Sequence, residues 1–338
     1  MRQQVRLSVV AAFGLLMVPA AAPAQTGLPP ADPRAVLHLL TENDAYGLDG
    51  TDRWYTNGLR LGWQSAEDSL PAPMAWLDAR LAALFGPARS RWGIAIGQSI
   101  FTPVNKRATV PDPRDRPYAG LLTLELGIDR RTADRLDRFA VQLGTVGPAS
   151  LAEQAQDFTH HLLSISQPRG WDAQIRNEPV FNLDWERIWR MPDQAQPRAA
   201  GLELDVLPSL ALALGTARLN AGLGARFRLG QGIAADFGPP RMRPALGTAT
   251  APVGEAFGWY VFAGAGGRVV GRDITLNGNT WRDGPSVAPR PFVGEVEAGL
   301  AVFWRGVRLS YTHVWRSKEF VSQPRPFVFG SIALSVAF

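Results

Sequence analysis

The chain has 338 residues, with 35 basic and 30 acidic side chains, four histidines and no cysteine. The missing thiols exclude disulfides, cysteine nucleophiles and cysteine-bound metals. Subtracting Arg2 and Arg6 from the net charge of +5 leaves +3, too small an excess for a polyanion binder, so no nucleic acid is expected as a partner.

Arg2 and Arg6, the apolar stretch Leu7 to Val18, and Ala22-Pro23-Ala24 before Gln25 have the layout of a secretion signal cleaved after Ala24. That stretch, about a dozen residues, is shorter than the roughly 20 a membrane helix takes. Residues 1–24 are therefore expected to be a signal and 25–338 a single domain. No later segment is a continuous apolar run of membrane-helix length.

From Val36 onward apolar residues return at every second position. Leu59, Leu61 and Trp63 alternate with Gly58, Arg60, Gly62 and Gln64, and Leu122, Leu124, Leu126 and Ile128 with Thr123, Glu125 and Gly127. Phe139, Val141 and Leu143, then Phe181, Leu183 and Trp185, keep the same parity. Period two means strands with one apolar and one polar face. Charged residues such as Glu203, Asp205, Arg226, Arg228, Glu295 and Glu297 recur on the second face, which a polar lumen inside a lipid-facing band explains. A soluble sheet with one wet face shares the alternation of any single segment; the repetition along the chain is what favours a barrel.

Strands are predicted near 36–43, 55–65, 92–101, 118–129, 135–145, 178–190, 200–214, 217–229, 256–268, 292–304, 307–318 and 326–338. The last of them, with Ile332, Leu334, Val336 and a final Phe338 on one face, resembles the terminal strand of outer-membrane proteins. Met74 to Leu84 and Leu151 to Leu163 have apolar residues at helical spacing. Loops near 103–117, 164–177, 230–254 and 269–290 are expected outside the barrel. The predicted fold is all-β: a closed antiparallel transmembrane β-barrel of about twelve strands with short helices in the loops, in the outer membrane of a Gram-negative bacterium.

Without cysteine, the residues that carry chemistry start with the histidines. His38 and His313 lie on strands, where a packed or hydrogen-bonded role is expected, and neither has an evident serine partner at matched parity. His160 lies in the second helical segment, on one face with Glu153 and Gln156. Asn43 and Asp44 close the first strand, and the loop after them carries Asp49 and Asp52. Thr56 shares the parity of Gly58 and Arg60, which predicts a lumen-facing hydroxyl. Lys106 is one of only two lysines, with Lys318, in a chain that otherwise uses arginine, a hint that the amine itself matters.

The segments Glu42-Asn43-Asp44, Asp52 to Gly58, Asn105-Lys106-Arg107, Asp115-Arg116-Pro117-Tyr118-Ala119-Gly120, Val146-Gly147-Pro148, Gln156 to His160 and Ser317-Lys318-Glu319-Phe320 together resemble the outer-membrane lipid A 3′-O-deacylase family. The resemblance runs across nearly the whole expected mature chain. It implies a monomeric twelve-stranded barrel that binds lipid A, or lipopolysaccharide, in the outer-membrane lipid. Its active site, dependent on calcium (Ca2+), would lie between the wall and an extracellular helix and release the 3′-linked acyloxyacyl group. Carried over by position, the base is His160, with His161 taking its place if the register slips by one. The other site positions are Asn43, Asp44, Thr56, Lys106 and Gln156, with Asp44 and Asn43 as candidate calcium ligands. Two rival readings are a non-catalytic porin or structural barrel and an outer-membrane phospholipase with a serine–histidine pair.

Overall fold

The period-two segments become twelve strands: β1 (Val36–Asn43), β2 (Asn57–Gln64), β3 (Arg89–Phe101), β4 (Ala119–Arg131), β5 (Arg135–Val146), β6 (Glu178–Trp189), β7 (Glu203–Gly215), β8 (Arg218–Gln231), β9 (Gly258–Asp273), β10 (Phe292–Trp304), β11 (Val307–Arg316) and β12 (Phe327–Ala337). The computed structural model describes residues 27–47, 53–162, 164–191, 201–242 and 256–338. The expected signal, Asp49 and Asp52 lie outside the described residues. Each strand pairs antiparallel with its sequence neighbours, and β1 closes on β12 from Val36↔Ala337 to Asn43↔Gly330. Closure leaves no unpaired edge, the only way a sheet satisfies its backbone inside lipid. No described helix is long and apolar enough to cross a membrane; the strands cross it.

The expected parity holds. Leu37, Leu39, Leu59, Leu61, Ile94, Ile96, Leu124 and Leu143 are exposed on the outside. The inside is filled by ion pairs such as Arg60 with Glu125 (2.6 Å), Arg138 with Glu186 (3.0 Å) and Arg226 with Glu297 (2.6 Å). Buried charges are tolerable only when paired and hydrogen-bonded, and arginine's fork matches a carboxylate's two oxygens. One end of the barrel carries the start of β1, the end of β12 and the tight turns at Thr132–Asp134 and Arg305–Gly306; this is the periplasmic end in barrels of this kind. The latter turn has both central residues at positive φ (48° and 79°), the geometry that suits a two-residue hairpin.

Among the described residues three α-helices interrupt the strands: α1 (Ala72–Phe85) at the periplasmic end, and α2 (Ala152–Leu162) and α3 (Ile274–Asn277) at the other. The first two match the predicted helices to within two residues. Strand β9 runs on to Asp273, so the loop expected from 269 begins later. A larger correction concerns the β8–β9 connection, expected outside the barrel. Its described part, residues 232–242, enters the lumen. Asp236 receives hydrogen bonds from Arg228, Arg308 (2.7 Å) and Tyr260 (2.8 Å). Further up the lumen, Arg241 bonds Glu42 (3.2 Å) and Glu297 (2.6 Å), and the Met242 amide donates to Glu42 (3.1 Å). The physical reason is charge: inward-facing Glu42, Glu295 and Glu297 cluster in the lumen, and Arg241 adds its charge to those of the wall residues Arg226, Arg268 and Arg316.

Candidate functional site

Helix α2 lies against the outer face of the wall at the extracellular end. Ile100 continues the outward parity of Ile94 and Ile96, yet it is only 2% exposed, because Ala152 and Trp171 cover it together with Tyr118. Close approach depends on Gly120: a Cβ there would sit 2.0 Å from Ser150 Oγ and 2.2 Å from Ala152 Cβ. The start of the helix is pinned from the wall by Gln98 Nε2, which donates to the Ser150 carbonyl (2.7 Å).

On α2 the buried residues are Ala152, Gln156 and His160, at the four-residue spacing that lines one helix face. His160 is 4% exposed, whereas His161 lies on the exposed side, so the helix turns the first of the pair toward the wall. His160 Nδ1 is 2.9 Å from the carbonyl oxygen of Ser166. A carbonyl only accepts, so Nδ1 carries the proton and Nε2 is left as the nitrogen with the lone pair. Gln156 Oε1 accepts from Trp171 Nε1 (3.0 Å), and Trp171 packs on Tyr118 with ring centroids 4.9 Å apart. The Lys106 carbonyl accepts from both Tyr118 Oη (3.1 Å) and the Arg169 amide (2.8 Å), tying the Lys106 loop to the segment that orients His160. Glu153, nearer the start of α2, has its carboxyl raised above the ordinary value by burial and then by the charges of Asp157 and Asp172.

Thr56 departs from expectation. The amides of Trp54 and Thr56 donate to the carbonyls of Thr102 and Ile100, one residue out of step with the Asn57↔Ile100 pairing of β2 and β3. Such a slip moves a side chain to the other face. Tyr55 therefore takes the lumen, where its hydroxyl bonds Glu42 (3.0 Å), and Thr56 Oγ1 lies 2.7 Å from Thr102 Oγ1 on the side of Ile100. Asn43 pairs with Asn57 across β1 and β2, at the same rim. Asn43 Oδ1 accepts from the Ala45 amide (2.7 Å), and Asp44, which is buried, accepts from the Arg53 amide (2.8 Å). Helix α2, with Gln156 and His160, lies against β3 and β4; Asn43, Asp44, Thr56 and Thr102 lie at or just beyond the ends of β1, β2 and β3 at the same end of the barrel, with Lys106 in the loop that follows β3.

Calcium binds hard oxygens, six to eight of them. Asp44 and Asn43 offer a carboxylate and an amide oxygen, the right kind of donor. Among the described residues no three histidine or acidic side chains converge as a metal cluster.

The remaining motif residues hold the site from behind. Asp115 accepts from Trp54 Nε1 (3.1 Å) and from the Val104 amide (2.7 Å), joining the loops after β1 and β3. Arg116 enters the lumen and bonds Glu319 (2.7 Å) and Thr275 (2.7 Å). Burial raises the Glu319 carboxyl, but Arg316, Arg116 and Arg268 more than reverse this and hold it at about 2. Thr102, Trp171 and the Ser166 carbonyl were not singled out by sequence reasoning; the parity of Thr102 with Ile100 is the one signal that pointed to it.

A strand histidine does have a serine partner, contrary to expectation. His38 and Ser335 face each other across β1 and β12, with Nδ1 and Oγ 3.0 Å apart, and Gln64 Oε1 is 3.0 Å from Nε2. The pair was hidden because it joins the first strand to the last. Both residues are buried in the lumen, Ser335 completely. His313 packs on Trp315 (4.2 Å) and bonds Tyr311 (3.1 Å), as expected of a structural strand histidine.

A family model described as outer membrane protein LpxR matches residues 9–338. No curated protein matches the chain. Among solved structures, LpxR from Salmonella typhimurium superposes with a TM-score of 0.73 at 21% identity, covering 90% of this chain and 100% of that one; at that identity the likeness is one of fold. The translocator domain of the autotransporter NalP from Neisseria meningitidis (TM-score 0.36, 12% identity, 90% and 87% covered) and the β domain of the Bordetella autotransporter BrkA (0.37, 11%, 92% and 100%) are matched much less well.

Proposed function

The chain belongs to the LpxR family of outer-membrane proteins, and from that premise we propose that it is a lipid A deacylase. It works as a monomer at the outer leaflet and hydrolyses the 3′-linked acyloxyacyl ester, with His160 as the base. The observation that carries this reading is the orientation of His160: the Ser166 carbonyl holds Nδ1–H and aims the basic character at Nε2, on a helix pressed to the lipid-facing side of the wall. An ester on a membrane lipid reaches that side without entering the barrel.

In the reaction, Nε2 of His160 takes a proton from water as the oxygen attacks the ester carbonyl. The tetrahedral oxyanion collapses with cleavage of the C–O bond to the sugar, and the imidazolium returns the proton to the leaving alkoxide. The products are a free fatty acid and a sugar hydroxyl. The Thr56 hydroxyl, backed by Thr102 (2.7 Å), donates to the developing negative charge, and the Lys106 ammonium binds the same charge or a lipid A phosphate. Gln156, held by Trp171, and Asn43 position the substrate. A calcium ion held by Asp44 and Asn43 would polarise the ester carbonyl.

Two features weigh against the rivals. The lumen holds buried ion pairs and the inserted segment 232–242, which disfavours a porin. Burial of Ser335 keeps the serine–histidine pair from lipid, which disfavours a phospholipase built on it. Mass spectrometry of lipid A from cells with and without the protein tests the proposal: loss of one acyloxyacyl mass from the 3′ position supports it, and an unchanged spectrum refutes it. A serine-hydrolase probe that labelled Ser335 would favour the phospholipase instead.

A further inference from the structure

Helix α1 is built inside out relative to a helix on a water-soluble surface. Its wall-facing side carries Asp78, which accepts from Arg130 Nε (2.8 Å) and Ser90 Oγ (2.6 Å), with Leu81 and Phe85 on the same side. At about 100° per residue, Ala72, Trp76, Ala79, Arg80 and Ala83 fall on the opposite side, and all five are exposed. Trp76 is 63% exposed, and Leu84, on the flank of that face, is 77% exposed. The one charge there is Arg80, whose guanidinium lies over the Trp76 ring, 5.4 Å from its centroid. A helix that directs its acid inward and its tryptophan and leucine outward is stable in a medium less polar than water.

The wall beneath α1 is the barrel's outer face. Ser90 and Arg130 share the parity of exposed Ile94 and Leu124. Phe85 packs on Phe139 (5.3 Å) and Trp185 (6.3 Å), which continue the outward rows of Val141 and Leu183. Trp63 and Trp92, 5.2 Å apart, extend the aromatic band onto β2 and β3. Aromatic girdles mark the boundary of the bilayer, and this one lies at the end where β1 starts and β12 finishes.

We propose that α1 is an interfacial foot, with the face of Trp76, Ala79, Ala83 and Leu84 inserted in the phospholipid of the periplasmic leaflet. Arg80 extends from this face to the lipid phosphates. The occupant is lipid because the surface continues the apolar band that the barrel already presents to the bilayer. This inference is independent of the catalytic reading.

The natural chain has no cysteine, so single nitroxide labels can be attached at introduced ones. The full-length barrel carrying Ala79→Cys, Ala83→Cys, Trp76→Cys or Leu84→Cys is reconstituted in phosphatidylethanolamine–phosphatidylglycerol vesicles, with Ser69→Cys, in the exposed loop before α1, as the aqueous reference. Oxygen should relax the labels on the α1 face more strongly than a water-soluble nickel chelate does, with the order inverted at Ser69. The two alanine positions decide the matter if loss of Trp76 or Leu84 loosens the helix. Nickel dominating at positions 79 and 83 would overturn the proposal. Dipolar broadening between labels that persists on dilution with lipid would also overturn it, by placing a second copy on this face.

Discussion

Replacing Gly120 by alanine is expected to cripple turnover without unfolding the barrel. The backbone at Gly120 is not in the left-handed region, so the effect is purely steric. The new methyl would meet Ser150 Oγ at 2.0 Å and Ala152 Cβ at 2.2 Å, and only the first can turn aside, at the cost of its bond to the Gly147 carbonyl (2.6 Å). Restoring ordinary carbon contact, about 3.5–4.0 Å, needs the start of α2 to lift from the wall by about 1.5 Å. A misplacement of about 1 Å in a catalytic group costs roughly 10²-fold in rate, or about 2.7 kcal/mol of barrier. The assay is the initial rate of fatty-acid release from lipid A in detergent micelles by the purified variant, with heat-modifiable migration on gels as the check that the barrel is closed. An undiminished rate in a folded Gly120→Ala barrel would refute the idea that contact between α2 and the wall sets the geometry of His160.

Chelating calcium should stop turnover reversibly, and activity indifferent to chelator would remove Asp44 and Asn43 as metal ligands. Arg241→Ala takes from buried Glu42 the arginine that it bonds and leaves Glu297 with Arg226 alone, and should destabilise the barrel by about 3–5 kcal/mol; thermal melting followed by gel mobility measures this, and an unchanged midpoint would contradict the lumen assignment. Glu319, with its carboxyl held far below the ordinary range by Arg316, Arg116 and Arg268, contributes stability that is complete above the unfolded carboxylate value. That stability is lost as pH falls from about 4.5 towards 2. Melting midpoints should therefore fall over that interval in the parent protein and less steeply in Glu319→Gln, and parallel curves would count against the three-arginine clamp.

Strand number, parity and closure were legible because each strand repeats the same two-residue signal. The helices at 72–85 and 152–162 were legible for the same kind of reason. Thr56 was misread because its direction depends on a one-residue slip between Trp54 and Asn57, which leaves no trace in local alternation. Segment 232–242 reads as an ordinary polar loop; only the tertiary clustering of Glu42, Glu295 and Glu297 draws Arg241 inside. The pairing of His38 with Ser335 spans almost the entire chain and exists only once β1 meets β12. At the candidate site, His160 and Gln156 could be assigned to one face from spacing, whereas the hydrogen bond from His160 Nδ1 to Ser166 depends on the fold of the chain after α2.

The most direct test compares His160→Ala with His161→Ala, each purified as a heat-modifiable barrel and incubated with lipid A whose products are weighed by mass spectrometry. Loss of roughly 10²- to 10⁴-fold in rate is expected for removal of a general base, and so for His160→Ala, with His161→Ala close to the parent. Loss of the 3′ acyl chain at the parent rate by folded His160→Ala would contradict the account at its centre.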